Sequence, residues 1–403
     1  MGKIKSVLIG AAALCCPFLA GTSSAVGDAV RLAAYYSTGA FTSVDVGNIH
    51  GDNANKGDTS EDNSGGTVSK PVITSTSTGN SSIISSPLTS TVTGSAENQP
   101  PAVSDEPVID EPPQKLGKVI TLNRPESTDD TDYSAFTDND GKIYRYNFGK
   151  SKSTEYITLS SGAQVRNCTE MANAELSEAA KNIPSFGELD SEQPSVLIYH
   201  THTSESFLPY GDSFDADYPL RSGDPAKNMT AVGDAICDSL SKRGIGVVHD
   251  CMVYDSPMFT GAYYRSADGM LEILERYPSI KIVLDIHRDG ITNADGSLDA
   301  PVAEIDGKNA AQFMIISGCD DGEMDMPDYM ENFKLACLLQ NCAEEAYPDL
   351  ARAVLFDYRN YNQSLSTGAL LIEVGSHGNS LDEALYTGEL LGNVIADALE
   401  RGE

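Results

Sequence analysis

The sequence predicts an α/β fold, with a mostly parallel central sheet covered by helices and preceded by a disordered tether. Three observations carry that expectation. Apolar runs of strand length end abruptly in polar residues at Val196-Leu-Ile-Tyr-His-Thr-His-Thr-Ser-Glu-Ser-Phe207, Ile280-Lys-Ile-Val-Leu-Asp-Ile-His287 and Ala369-Leu-Leu-Ile-Glu373. Such runs read as buried strands of a parallel sheet. Segments of helical spacing lie between them, the alternation of a helix-covered sheet. Ahead of them, from about Val44 to Pro113, the chain is Ser, Thr, Gly, Asn, Asp and Pro, which buries too little apolar area to offset ordering entropy.

In chain order, residues 1–27 open with Lys3 and Lys5 and then carry no charge from Ser6 to Gly27. The strongly apolar part, Val7 to Ala20, reads as a secretory signal or a marginal membrane anchor. Either puts the rest of the chain outside the cytoplasm. Residues 28–115 form the linker, with a brief amphipathic helix at Asp28 to Thr42. A coil of about 70 residues spans on the order of 40–50 Å. Residues 116–403 form the catalytic-size domain, with its core at 195–403. Within it, Lys118 to Leu122 and Tyr156 to Leu159 are strand-like, and Cys168 to Lys181 has helical spacing. A polar loop runs from Pro209 to Asp224. A helix is expected from Pro225, a good first-turn residue, to Arg243. Ile245 to His249 is a strand and Ala262 to Tyr277 a helix. Val302 to Gly307 and Gln312 to Ser317 read as a hairpin-like pair or edge strands. Met330 to Tyr347 is a helix, Ala353 to Phe356 a strand, Gly368 to Val374 the last central strand, and Leu381 to Leu399 a closing helix.

The formal net charge is −32 with no basic stripe, which argues against nucleic acid as a partner. Eight cysteines occur without a Cys-x-x-Cys pair, so a thiolate zinc knuckle is not expected. Cys15 and Cys16 fall in the leader. The other six read as small core residues, with a disulfide open as an alternative in an exported domain.

The three strand ends bring His, Glu, His and Glu toward the carboxyl edge of the sheet, where open α/β sheets place their ligand sites. His202 and Glu205 are three apart, and with His287 they make a His, Glu, His set, a known catalytic zinc arrangement that leaves one position open. His200 is the alternative ligand, because strand positions two apart face the same way. A metal there lowers the pKa of bound water and polarises a carbonyl oxygen. Glu373, a carboxylate at the end of an apolar strand, is the candidate to handle the proton. Asp285 is suited to orient a histidine ring. Arg288 is a candidate anchor for a substrate carboxylate or a partner of Asp289. Asn362, in the polar tract Arg359 to Ser364, and His377 are candidates for lining a glycan or peptide groove.

Leu197 to Phe207, Leu284-Asp-Ile-His-Arg-Asp289, and Tyr361 to Gly375 with Asn379 resemble, in order and in length, the stage II sporulation protein P family. That resemblance covers roughly Tyr156 to Arg401. It implies an amidase-like fold and a zinc-dependent cell-wall hydrolase of spore formers, related to the N-acetylmuramoyl-L-alanine amidases. The implied substrate is peptidoglycan, cut at the amide between muramic acid and the stem peptide and at stem-peptide cross-links. The implied partners are stage II sporulation proteins D and M. The implied setting is the space between mother-cell and forespore membranes. Carried over, His202 and His287 take the histidine ligand roles and Glu373 the catalytic one. In the related amidases the ligand glutamate lies on the first helix. The segment from Pro225 to Arg243 has no glutamate, so Glu205 stands in that role. A zinc carboxypeptidase and a non-catalytic wall-binding module remain as alternatives. No Gly-x-Ser-x-Gly elbow occurs, which argues against a serine hydrolase.

Overall fold

A computed structural model of the chain describes residues 115–402. The leader at 1–27 and nearly all of the linker at 28–115 lie outside the described residues.

Among the described residues thirteen strands and five α-helices follow one another. The strands are β1 (Val119–Leu122), β2 (Gly141–Tyr146), β3 (Tyr156–Thr158), β4 (Gln164–Asn167), β5 (Pro194–Tyr199), β6 (Ser213–Phe214), β7 (Gly246–Asp250), β8 (Ile282–Asp289), β9 (Leu298–Ile305), β10 (Lys308–Ala311), β11 (Phe313–Cys319), β12 (Val354–Tyr358) and β13 (Ala369–Ser376). The helices are α1 (Asn173–Ala179), α2 (Met229–Lys242), α3 (Ala262–Arg276), α4 (Tyr329–Ala346) and α5 (Leu381–Arg401). Nine strands form the main sheet in the order β1-β7-β5-β8-β13-β11-β12-β4-β3. Its pairings are parallel except β11 with β13 and β3 with β4. The expected α/β fold with a mostly parallel, helix-covered sheet is the one observed.

Alternation along the central strands sorts the core. Val196, Ile198, Ile282, Leu284, Ile286, Leu370 and Ile372 pack with α2, α4 and α5. Leu197, Tyr199, Val283 and Ala369 pack with Met270 and Ile273 of α3 on the opposite face. β5, β8 and β13 are buried along their whole length, as strands covered on both faces must be. β5 leads to β7 on one side of it, and the next crossover returns to β8 on its other side. Strand order therefore reverses between β5 and β8, and the crevice beyond their carboxyl ends is where such sheets bind ligands.

Several boundaries differ from expectation for identifiable reasons. α2 starts at Met229 rather than Pro225, because the Asn228 side chain caps it by accepting from the Thr230 N–H at 2.9 Å. The helix expected over Cys168 to Lys181 shortens to α1. The hairpin is β9 with β10, turned by Asp306 and Gly307 at φ 50° and 74°, a two-residue turn with both centres left-handed. β11 is not its partner or an edge strand but lies inside the main sheet between β13 and β12. β2, β4 and β6 were not anticipated. β2 and β6 join the hairpin in a second sheet of order β10-β9-β2-β6.

All six described cysteines are free, and five are buried as expected, but Cys168 is exposed. Among the described residues no helix is long and apolar enough to cross a membrane.

Candidate active site

Register places the key side chains. On adjacent parallel strands Glu373 is the direct partner of His287, and Tyr199 of Asp285. Asp285 and His287 are two apart and share the α3-facing side. β5 stops at Tyr199, and the chain then turns. Thr201 donates from its N–H and hydroxyl to Asp285 at 2.8 and 2.7 Å. The Glu205 N–H closes a tight turn onto the His202 carbonyl at 3.1 Å. This turn carries the His202 ring over the sheet edge, edge-on to the His287 ring at 5.2 Å between centroids.

His202, Glu205, His287, Asp285 and Glu373 are thus gathered and buried. His287 Nδ1 lies 3.6 Å from Glu205 Oε2, and Nε2 lies 2.8 Å from Asp285 Oδ1. Burial opposes a charge on this ring, but the Asp285, Glu205 and Glu373 carboxylates outweigh it and raise His287 to about 9. Burial, with His287 and the Arg221 and Arg288 charges adding, lowers His202 to about 2. Burial and the Asp289 carboxylate raise Glu373 to about 8, against the pull of His287. A carboxyl held near neutrality is suited to both taking and giving a proton.

Three buried atoms here have no aligned hydrogen bond: His202 Nδ1, His287 Nε2 and Glu373 Oε2. Buried polar atoms are rarely left so, and the donor types, imidazole and carboxylate, are those of a divalent metal site. Among the described residues no group of three or more His, Cys, Asp and Glu side chains is disposed to hold a metal ion. In the geometry observed Glu205 meets His287, the Arg288 N–H at 3.3 Å and Arg221 at 3.6 Å, since opposite charges so close attract one another.

Other expected site residues are otherwise employed. His200 points to the α2 face, where Nδ1 meets the Ile286 carbonyl and Nε2 meets His249 Nε2, both at 3.0 Å. Both of its nitrogens are thus engaged away from the His202 and His287 rings. Arg288 donates to the carbonyls of Ser206, Leu220 and Asp289 at 2.6, 2.8 and 3.3 Å, so its guanidinium pins loops and is not offered to a substrate carboxylate. Nor does it pair with the Asp289 carboxylate, which takes Arg352 at 2.9 Å. Asn362 ties its loop to α3 through the Tyr263 carbonyl and Ser266 Oγ, both at 3.0 Å. His377 is buried beside the site, its Nε2 3.3 Å from Thr292 Oγ1, and burial with the Arg288 charge lowers it to about 4.

Three residues were missed. Phe259 lies flat on His202 with 4.1 Å between centroids, and Tyr263 meets it edge-on at 5.5 Å. Arg221 caps the Phe259 ring at 4.7 Å and pairs with Asp255 at 2.9 Å. The aromatic cluster Phe259-Thr-Gly-Ala-Tyr-Tyr264 was the one available signal, directly before a helix that follows a strand end.

Comparison with known proteins bears on this arrangement. A family model described as Stage II sporulation protein P (SpoIIP) matches residues 120–396. The Stage II sporulation protein P of Bacillus subtilis (strain 168) is 27% identical over 306 residues, covering 70% of this chain and 72% of that protein. Among solved structures, the N-acetylmuramoyl-L-alanine amidase AmiC2 of Nostoc punctiforme is 14% identical with a TM-score of 0.32, covering 51% of this chain and 94% of that one. The CwlD amidase from Clostridioides difficile, in complex with the GerS lipoprotein, is 11% identical with a TM-score of 0.31, covering 52% of this chain and 98% of that one.

Proposed function

This chain belongs to the stage II sporulation protein P family, and from that premise we propose that it is a peptidoglycan hydrolase of sporulation. In this reading it is a zinc-dependent N-acetylmuramoyl-L-alanine amidase that also cuts stem-peptide cross-links during septal thinning and engulfment. It works on the extracytoplasmic side, between the mother-cell and forespore membranes, with stage II sporulation proteins D and M as partners.

The observation that carries the reading is the pairing of Glu373 with His287 across β13 and β8, beside two buried polar atoms without a hydrogen-bond partner, His202 Nδ1 and Glu373 Oε2. His202, Glu205 and His287 are the residues that would hold the zinc, which when bound supplies Lewis acidity toward an amide carbonyl. Asp285 fixes the His287 ring and is itself fixed by Thr201. Glu373, buried next to His287, takes a proton from the attacking water as the carboxylate and then gives that same proton to the leaving amide nitrogen. Phe259 and Tyr263 keep bulk water from the His202 ring. The carboxypeptidase alternative loses its proposed anchor, because the Arg288 donors are spent on carbonyls.

Mass spectrometry of purified peptidoglycan digested with and without chelator tests this. The reading expects free stem peptides released only without chelator. Release of single terminal amino acids, or intact wall after prolonged digestion, contradicts it.

A further inference from the structure

One surface feature is unused by this chemistry. Tyr144, Tyr146 and Phe148 alternate along β2 and just past its end. Alternate residues of a strand share a face and stand about 6.6 Å apart, so the three rings form a row. Tyr144 is 48% and Tyr146 41% exposed, although contiguous exposed aromatic surface is uncommon on a protein without a ligand for it. The row is held in place. Tyr146 stacks on Phe148 at 4.8 Å between centroids, and its hydroxyl donates to Asp299 Oδ2 at 2.5 Å. Asn293 Nδ2 donates to the other oxygen of that carboxylate at 2.8 Å.

Two chains of contact join this row to the candidate active site. Arg352 lies 5.6 Å from the Phe148 ring centre and pairs at 2.9 Å with Asp289, the carboxylate neighbouring Glu373. The Asp299 carbonyl accepts from Ser376 Oγ at 2.5 Å, at the carboxyl end of β13 and next to His377.

We propose that the Tyr144, Tyr146 and Phe148 row, with Asp299 and Asn293 at its side, is a docking strip for the glycan backbone of peptidoglycan, seating the sugar chain beside the hydrolytic edge. A pyranose ring offers flat faces of C–H groups bordered by hydroxyls. Its flat faces therefore suit exposed tyrosine rings whose orientation Asp299 and Asn293 fix from beneath. The continuity with Glu373 and His377 favours this occupant over an unrelated protein. The inference rests on the hydrolase reading for its substrate, but its readout is binding rather than cleavage. A failure of either is therefore seen separately.

The test is binding of the full chain to peptide-free glycan strands, β-1,4-linked amino-sugar oligomers, by titration calorimetry. Wild type is expected to bind, and Tyr144→Ala with Tyr146→Ala to bind at least about tenfold more weakly, the size of a lost ring-stacking contact. Tyr144→Phe, which keeps the ring, is expected to bind like wild type. The chain has no tryptophan, so Tyr144→Trp provides a single reporter whose emission shifts when sugar covers it, independently of whether the alanine variants fold. No binding by wild type, equal binding by the double variant, or an unshifted Tyr144→Trp emission at saturating glycan overturns the proposal.

Discussion

Two histidine clusters sit within a few residues of each other on opposite faces of the same sheet edge, and they have opposite bonding states. On the α2 face, His200, His249 and Asp234 form a closed chain: the ring nitrogens of both histidines are partnered at 3.0 to 3.1 Å. On the α3 face, His202 and His287 crowd against Glu205, Asp285 and Glu373, and His202 Nδ1 and Glu373 Oε2 are buried without a hydrogen-bond partner. A satisfied buried network stabilises, whereas buried unsatisfied polar atoms cost stability and are retained where they serve chemistry. The residue types are nearly the same. What separates the two clusters is whether their polar atoms are already spent.

Substitutions on either face can break or sharpen this contrast. The largest effect is expected for Glu373→Gln, which removes the titrating group at constant shape. Turnover on purified wall should fall by about 10²- to 10⁴-fold with the fold intact, and digestion at the wild-type rate would remove Glu373 from the mechanism. On the other face, His200→Ala should cost about 1–3 kcal/mol, because His249 Nε2 and the Ile286 carbonyl lose their partner in the core. Chemical denaturation measures this, and an unchanged midpoint would show the network to be dispensable. Gly233→Ala probes the same cluster sterically. A Cβ there would stand 2.4 Å from His249 Nε2 and 2.7 Å from His200 Nε2, so about 1–3 kcal/mol of overpacking is expected.

The smallest effect is on pH dependence. Burial lowers His200 and His377 below the ordinary value, His377 to about 4. The unfolded chain then binds the proton more readily, so the His377 contribution to stability is full above about pH 6.5 and is lost as pH falls toward 4, and His200 acts in the same direction. His377→Asn should flatten the fall in unfolding free energy between those values, and an identical slope would contradict the assignment.

The central sheet was legible because β5, β8 and β13 are continuous apolar runs, and runs of that kind are specified locally. The second sheet was not, because β2 pairs with β9, far along the chain, and Gly141–Tyr146 carries no apolar run; nor does β4, Gln164–Asn167, at the far side of the main sheet. Type of residue located the site, but direction did not follow from it. His200 and His202 were taken to face the same way, yet the strand ends at Tyr199 and the turn carries His202 to the opposite face. Register alone could have excluded His200: Tyr199 pairs with Asp285, so His287 shares the Tyr199 face, not that of the next residue. The Arg288 role was illegible for another reason. Its acceptors are backbone carbonyls of loops, which no side-chain pattern reveals.

The contrast between the two faces is tested most directly by zinc content, measured by elemental analysis on His202→Ala, His287→Ala and His200→Ala purified in parallel and checked for folding. The account predicts that the first two lose the ion while His200→Ala retains it. Full zinc in either of the first two, or its loss from folded His200→Ala, would contradict the division of labour between the faces.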